Sequence, residues 1–313
     1  MLKVVDLFSG IGCFSYAFRG LFRTVVYCEI AKECRHMLRR NMERDRIDTA
    51  PIVRDVKDLH DAKGAQVLTA GFPCQDLSGA NRFGQGLDGA RSGLFFEIIR
   101  ILDENPSICH VFLENVPALM QSYDTVLDGL KSVGFRTVKH VIVSAAQLGA
   151  PHMRKRVFIY AIRKKTKALM PRMDEPDDTW EPRTMPKLTT RYKSKDHLKQ
   201  IDLRHKACGN AIVPACIVSA YRYLVHGIEL PDKHRPIKVV LVDGDVVYRK
   251  ERFNTPSASF LRPYNMLTER GSGVLCNNVK FNKKNKERDV ENSTMNPKFS
   301  EWLMGLPSNY TRI

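Results

Sequence analysis

The sequence predicts an α/β fold: a doubly wound, mostly parallel sheet, followed by a smaller C-terminal domain. Three observations predict it. Short apolar runs that read as strands alternate with amphipathic or polar stretches that read as helices, from residue 2 to residue 162. The first of these strands runs through a glycine turn into a helix, the opening of a nucleotide-binding α/β unit. The fourth apolar run, 65–70, ends in Gly71-Phe72-Pro73-Cys74-Gln75-Asp76-Leu77-Ser78. That places a cysteine at the carboxyl edge of the sheet, where open α/β folds hold their ligands.

Taken in order, residues 2–8 form a buried strand, Ser9-Gly10-Ile11-Gly12 a turn, and 13–22 a helix. A second strand, 24–28, ends on Glu29, and a basic helix covers 32–44. The turn reads Asp6-x-Phe8-x-Gly10-x-Gly12, with Ser15 where a dinucleotide fingerprint has its third glycine. A ligand with a pyrophosphate is therefore less favoured than a nucleoside without one, such as S-adenosylmethionine. Glu29, at the tip of the next strand, can accept hydrogen bonds from ribose hydroxyls. A plain structural turn is the other reading of the glycine pair.

The third strand, 51–56, carries Asp55 at its end, and 65–70 is the fourth. Residues 81–92 hold three glycines with Arg82 and Arg91, a basic loop beside Cys74 that reads either as a connector or as a lid. A helix over 93–103 leads to a strand at 109–113, which ends in Glu114-Asn115-Val116. A helix at 122–133 and strands at 135–146 and 156–162 follow. Between those strands, His152-Met153-Arg154-Lys155-Arg156 is either a phosphate or base clamp or a solvated charge run. Residues 164–205, rich in Pro, Asp, Lys and Thr toward their start, read as a surface connector. An apolar helix at 215–225 closes a catalytic domain expected over 1–227, and 228–313 is the expected smaller domain.

A net charge of +16 points to a polyanionic partner, since lysine and arginine displace counterions from phosphate backbones. Eight cysteines without CxxC pairs argue against a zinc ribbon or a disulfide framework, and for a reducing, intracellular compartment. No metal is expected. No apolar run is expected to approach the roughly 18 residues of a membrane span. The first strand begins at residue 2, which leaves no room for a signal peptide.

Several ordered blocks together resemble the cytosine-C5 DNA methyltransferases. They are Asp6-Leu7-Phe8-Ser9-Gly10-Ile11-Gly12, Glu29, Asp55, Gly71-Phe72-Pro73-Cys74-Gln75, Glu114-Asn115-Val116, the Arg154/Arg156 pair, Gly209-Asn210-Ala211-Ile212-Val213-Pro214, and the segment from Asn296 to Pro307. The resemblance covers nearly the whole chain. It implies a Rossmann-like methyltransferase sheet, S-adenosylmethionine as methyl donor, duplex DNA as partner, and a C-terminal target-recognition domain. For the matching positions it implies Cys74 as the nucleophile toward cytosine C6, Glu114 on the base's N3/N4 edge, Arg156 on its O2 side, and Arg154 on a flanking phosphate. Asp6, Phe8, Gly10, Ile11, Gly12, Glu29, Ile30, Asp55, Val56, Pro73, Asn210 and Ala211 would contact the cofactor. Gln75, Ser78, Arg82 and Arg91 would contact DNA around a flipped-out base.

Two departures stand out. His152 occupies a position where the family usually has Gln, and the Asn-Pro/Glu-Trp segment follows the Gly-Asn block instead of preceding it. The expected protein is a monomer, with room for a cognate restriction nuclease as partner. It would be cytoplasmic in a bacterium, in the host cell for a virus, and nuclear in a eukaryote. The alternatives are a transfer-RNA cytosine-C5 methyltransferase and, further off, an inactive DNA-binding subunit.

Overall fold

A computed structural model describes residues 1–73, 93–150, 152–164, 166, 168–173, 189–231 and 293–313. The chain divides into two compact units: 1–143, 155–176 and 216–230 make the first, and 144–154, 177–215 and 231–313 the second. Most of the expected 228–313 domain, and the basic loop at 81–92, lie outside the described residues.

The first unit carries a seven-stranded sheet. Its strands are β1 (Leu2–Leu7), β2 (Phe22–Cys28), β3 (Ile52–Val53), β4 (Val67–Gly71), β5 (His110–Asn115), β6 (Phe135–Ser144) and β7 (Lys155–Arg163), in the order β3-β2-β1-β4-β5-β7-β6. The four pairings β3-β2, β2-β1, β1-β4 and β4-β5 are parallel, and β5-β7 is antiparallel. The order reverses between β1 and β4, which is the topological switch point where such sheets bind ligands. Its helices are α1 (Cys13–Ala17), α2 (Lys32–Met42), α3 (Gly93–Glu104) and α4 (Tyr123–Ser132), joined by most of α6 (Pro214–His226); α5 (Lys195–Asn210) lies in the second unit.

The strands are apolar because both faces of the sheet are covered. Val5, Leu7, Leu68, Ala70, Val111, Leu113 and Ile159 form one core cluster with Phe95, Ile98 and Leu102 of α3. On the other face Tyr27, Asp6, Thr69, Phe112 and Tyr160 stand in register across five adjacent strands. Phe14, Phe18, Phe22 and Tyr221 pack around Phe112 in tilted and edge-on pairs. A buried carboxyl thus sits inside a largely aromatic row.

Several elements differ from expectation. The helix expected over 13–22 stops at Ala17, because Gly20 takes a left-handed φ of 76° and Phe22 is drawn into the sheet. The third strand shrinks to two residues, since Asp55 leaves the sheet to cap a 3-10 turn over Val56–Asp58. Most of α5 lies inside the stretch read as a connector. Its buried positions include His205, Cys208 and Gly209, residues that a search for apolar periodicity passes over. The stretch Lys195–His226 holds an 18-residue window that is, by length and composition, apolar enough to cross a membrane, contrary to expectation; 72% of that window is buried within the protein, as in core helices.

In the second unit α5 packs on α7 (Pro297–Leu303), and β8 (Thr189–Arg191) pairs antiparallel with β9 (Ser293–Met295). Asn296 caps α7 through Lys298 N–H, with Pro297 in the first turn, where a missing N–H does no harm. Glu301 is fully buried and accepts from Arg204 Nη2 (2.8 Å), Asn309 N–H (2.7 Å), Thr311 N–H (2.8 Å) and Thr311 Oγ1 (2.6 Å). His205 bonds Ser300 at 3.0 Å.

Candidate active site

Parallel pairing brings the loops after β1, β2, β3, β4 and β5 to one edge of the first unit. Leu7 is in register with Cys28 and with Ala70, Cys28 with Val53, and Gly71 with Glu114. The edge therefore gathers Phe8 to Gly12, Glu29 and Ile30, Asp55 and Val56, Phe72 and Pro73, and Glu114.

Glu29 organises the glycine turn. Its Oε2 accepts from Gly10 N–H at 2.7 Å and its Oε1 from Ala31 N–H at 2.7 Å. Burial pushes its carboxyl up from the ordinary range, and the two N–H donors and nearby Arg35 oppose that. Phe8 and Gly10 take left-handed φ values of 52° and 54°. At Phe8 this conformation is uncommon for a side chain of that size and is a local strain. A Cβ on Gly10 would meet no described atom within 4 Å, so the turn has an open side; one on Gly12 would press on Ile47 and Leu38 at 3.0 Å. Ile11 is buried in the core and Ile30 is 64% exposed.

Asp6 lies beneath this turn. Thr69 Oγ1 donates to its Oδ1 at 2.6 Å, and its Oδ2 has no hydrogen-bond partner among the described residues. Burial raises its pKa to about 7, with Thr69 and Ser9 opposing and Glu29 adding to the rise. Asp55 accepts from Lys57 N–H at 3.0 Å.

The antiparallel direction of β7 matters next. Asn115 pairs with Val157 and Glu114 with Phe158, so the amino end of β7 arrives at the same edge. Arg156 Nε meets Glu114 Oε1 at 2.9 Å. Asn115 adds a contact that had no assigned role in the sequence reading: its Nδ2 donates to Phe72 O at 3.0 Å while its Oδ1 accepts from Val116 N–H at 2.8 Å. It pins the chain two residues before Cys74, and the Glu-Asn-Val block was the signal that could have found it. Cys74, Gln75, Ser78, Arg82 and Arg91 lie outside the described residues.

Arg154, Asn210 and Ala211 belong to the second unit and are brought together there. Arg154 was expected on a phosphate. It is instead 4% exposed, with a positive φ of 22°, and its Nη2 donates to Gly209 O at 2.9 Å and to Ala211 O. These carbonyls flank Asn210 where α5 ends, and an arginine fork satisfies acceptors that the helix leaves open. His152 is also buried, and its Nε2 bonds Leu303 O at 2.6 Å at the end of α7. Among the described residues no group of three His, Cys, Asp or Glu side chains is arranged to hold a metal ion.

A Rossmann-like sheet, a glycine turn braced by the strand-end carboxylate Glu29, and the Glu114–Arg156 pair meet at this edge. The profile of the C-5 cytosine-specific DNA methylases matches residues 2–311, and the chain belongs to that family. It is 28% identical over 253 residues to the type II methyltransferase M.CviJI of Paramecium bursaria Chlorella virus IL3A, covering 78% of this chain and 64% of that protein. It is 29% identical over 224 residues to the type II methyltransferase M.HpaII of Haemophilus parainfluenzae, covering 66% and 61%. The chain thus spans less than two thirds of the length of these relatives. A solved mutant form of Spodoptera frugiperda DNMT2 matches 56% of this chain and 54% of its own, at 21% identity and a TM-score of 0.45.

Proposed function

We propose that this protein transfers a methyl group from S-adenosylmethionine to C5 of cytosine in duplex DNA, at a specific sequence read by residues 228–313. The observation that carries the reading is the convergence at one sheet edge of the Glu29-braced glycine turn, the Glu114–Arg156 pair, and the strand exit that leads into Pro73-Cys74.

The residues fit an adenosine. Gly10 leaves an open side, Ile30 offers an exposed apolar surface, and Glu29, held by backbone N–H groups, is an acceptor for a ribose hydroxyl. Phe8, Gly12, Asp55 and Val56 complete the cradle, with Asp6 beneath it. S-adenosylmethionine supplies an electrophilic methyl on a sulfonium, which unactivated cytosine C5 does not attack. Cys74 answers this as a thiolate: its sulfur bonds C6 and pushes electron density onto C5. Glu114 holds the N3/N4 edge and Arg156 neutralises charge that develops toward O2. Once C5 carries the methyl, its proton leaves to water and the C6–sulfur bond breaks, which returns the thiolate. The base must be out of the stack for this, so it is flipped into the pocket, with Gln75, Ser78, Arg82 and Arg91 on the DNA. A monomer is enough for one duplex, with a cognate nuclease if the chain serves restriction and modification.

The test is transfer of labelled methyl from S-adenosylmethionine to mixed-sequence duplex DNA and to total RNA, with Cys74→Ala alongside. The expected result is 5-methylcytosine in DNA, absent with Cys74→Ala. Label in RNA alone would reassign the substrate, and label that survives Cys74→Ala would overturn the covalent route.

A further inference from the structure

Two arginines at the back of the cradle have no part in the chemistry above. Arg35, on α2, donates from Nη1 to Glu29 O at 3.0 Å and to Ile30 O. Arg100, on α3, donates from Nη2 to Val56 O at 3.0 Å and to Leu59 O at 3.1 Å. The remaining edges of Arg100 are held by Glu97 at 2.8 Å through Nε and by Glu104 at 2.6 Å through Nη1, with His60 Nδ1 at 3.2 Å. Asn105, at the end of the same helix, fastens the following loop by donating to His60 O and accepting from Ala62 N–H, both at 2.9 Å.

The two contacts share a design. Each turn leaves the sheet at a strand's carboxyl end and exposes carbonyls that no neighbouring strand pairs. In each case one planar guanidinium takes two of those carbonyls at once. A rigid two-pronged donor fixes the angle of a turn in a way that a single ammonium does not. Arg100 is itself oriented by two carboxylates, so its fork is set before the turn meets it. The two turns are those that present Glu29 with Ile30 and Asp55 with Val56.

We propose that Arg35 and Arg100 are positioning residues that set the affinity for the adenosine part of the cofactor, by holding these two turns in their binding geometry. This rests on the cofactor reading above. Loosening either turn adds an ordering step to binding, so the ligand meets a competent site only part of the time.

The experiment measures binding of S-adenosylhomocysteine and of adenosine by calorimetry, together with methyl transfer, for wild type, Arg35→Met, Arg100→Met, Arg100→Lys and the exposed control Lys63→Ala. Loss of charge-assisted hydrogen bonds of this kind weakens each ligand about tenfold in the Met variants, with binding stoichiometry kept. The KM for S-adenosylmethionine rises in parallel, while kcat at saturation falls less than twofold. Arg100→Lys sits between wild type and Arg100→Met. In ligand-free Arg100→Met, the amides of Asp58 and Leu59, bonded within the turn at 3.1 and 3.2 Å, exchange faster while Val111 in the sheet does not. A merely destabilised protein would instead lose stoichiometry and kcat with affinity unchanged, and that result overturns the proposal. Equal affinity in wild type and all variants overturns it too and leaves the cofactor reading standing. A wild type that binds neither ligand removes both.

Discussion

Glu29 and Glu301 are both buried glutamates that accept backbone N–H groups, and they do different work. Glu301, in the second unit, is saturated: a guanidinium, a hydroxyl and two backbone N–H groups use both oxygens. Three of these donors fall on Oε1 and one on Oε2, and the side chain is 0% exposed, so the carboxylate ties α5, α7 and the C-terminal turn together out of reach of a ligand. Glu29, at the edge of the first unit, has one described backbone donor on each oxygen, and burial already raises its pKa. It is 8% exposed where Glu301 is 0%, and the Ile30 N–H also favours its charged form against the burial that disfavours it. The lesson is that burial alone does not describe a carboxylate; the donors it accepts and its access to solvent are needed too.

The sharpest way to break this comparison is Glu301→Ala. It strands Arg204 with little exposure and removes acceptors from two backbone N–H groups, so unfolding in urea should show a loss of about 3–5 kcal/mol. Glu29→Ala should behave in the opposite sense. Stability changes modestly, while affinity for S-adenosylhomocysteine measured by calorimetry falls about 10- to 100-fold, the scale of hydrogen bonds to a charged group. If Glu29→Ala instead unfolds the protein and leaves ligand affinity intact, the distinction collapses.

Asp6 sharpens the comparison through pH. Its folded-state pKa is raised to about 7 from 3.8, so between those values the folded state binds more protons than the unfolded one. Stability is then fullest at the acidic end of that window and falls as pH rises through it, by at most about 1.4 kcal/mol per unit, and levels above pH 7. The raised pKa of Glu29 adds a slope of the same sign. Asp6→Asn should flatten the fall in urea midpoint between pH 5 and 8; an unchanged slope would mean that the buried carboxyl is not the group responsible. The smallest effect is expected from Gly10→Ala. Space is open there, so only the left-handed backbone is penalised, by about 1–2 kcal/mol, seen as a lower melting temperature.

Much of the sheet was legible because burial on both faces writes a strand as a short apolar run, and β1, β2, β4 and β5 appear within one or two residues of where the runs lie. The glycine turn was legible because only particular residues tolerate its backbone. The carbonyl partners of Arg154 were not legible, because a basic run looks the same whether its side chains face solvent or carbonyls. Arg35, Arg100 and Asn115 were passed over because their partners are backbone carbonyls, which carry no residue signature.

The sequence by itself determined the alternation of strands and helices, the order of the motifs and the family, since these are properties of neighbouring residues and their spacing. Only the tertiary structure decided that β7 runs antiparallel and so delivers Arg156 to Glu114. It also decided that Arg154 closes the end of α5, that Glu301 ties α5 to α7, and that Glu29 braces the glycine turn. The reason is physical: a side chain's role follows from which polar groups compete for it, and those competitors lie far away along the chain.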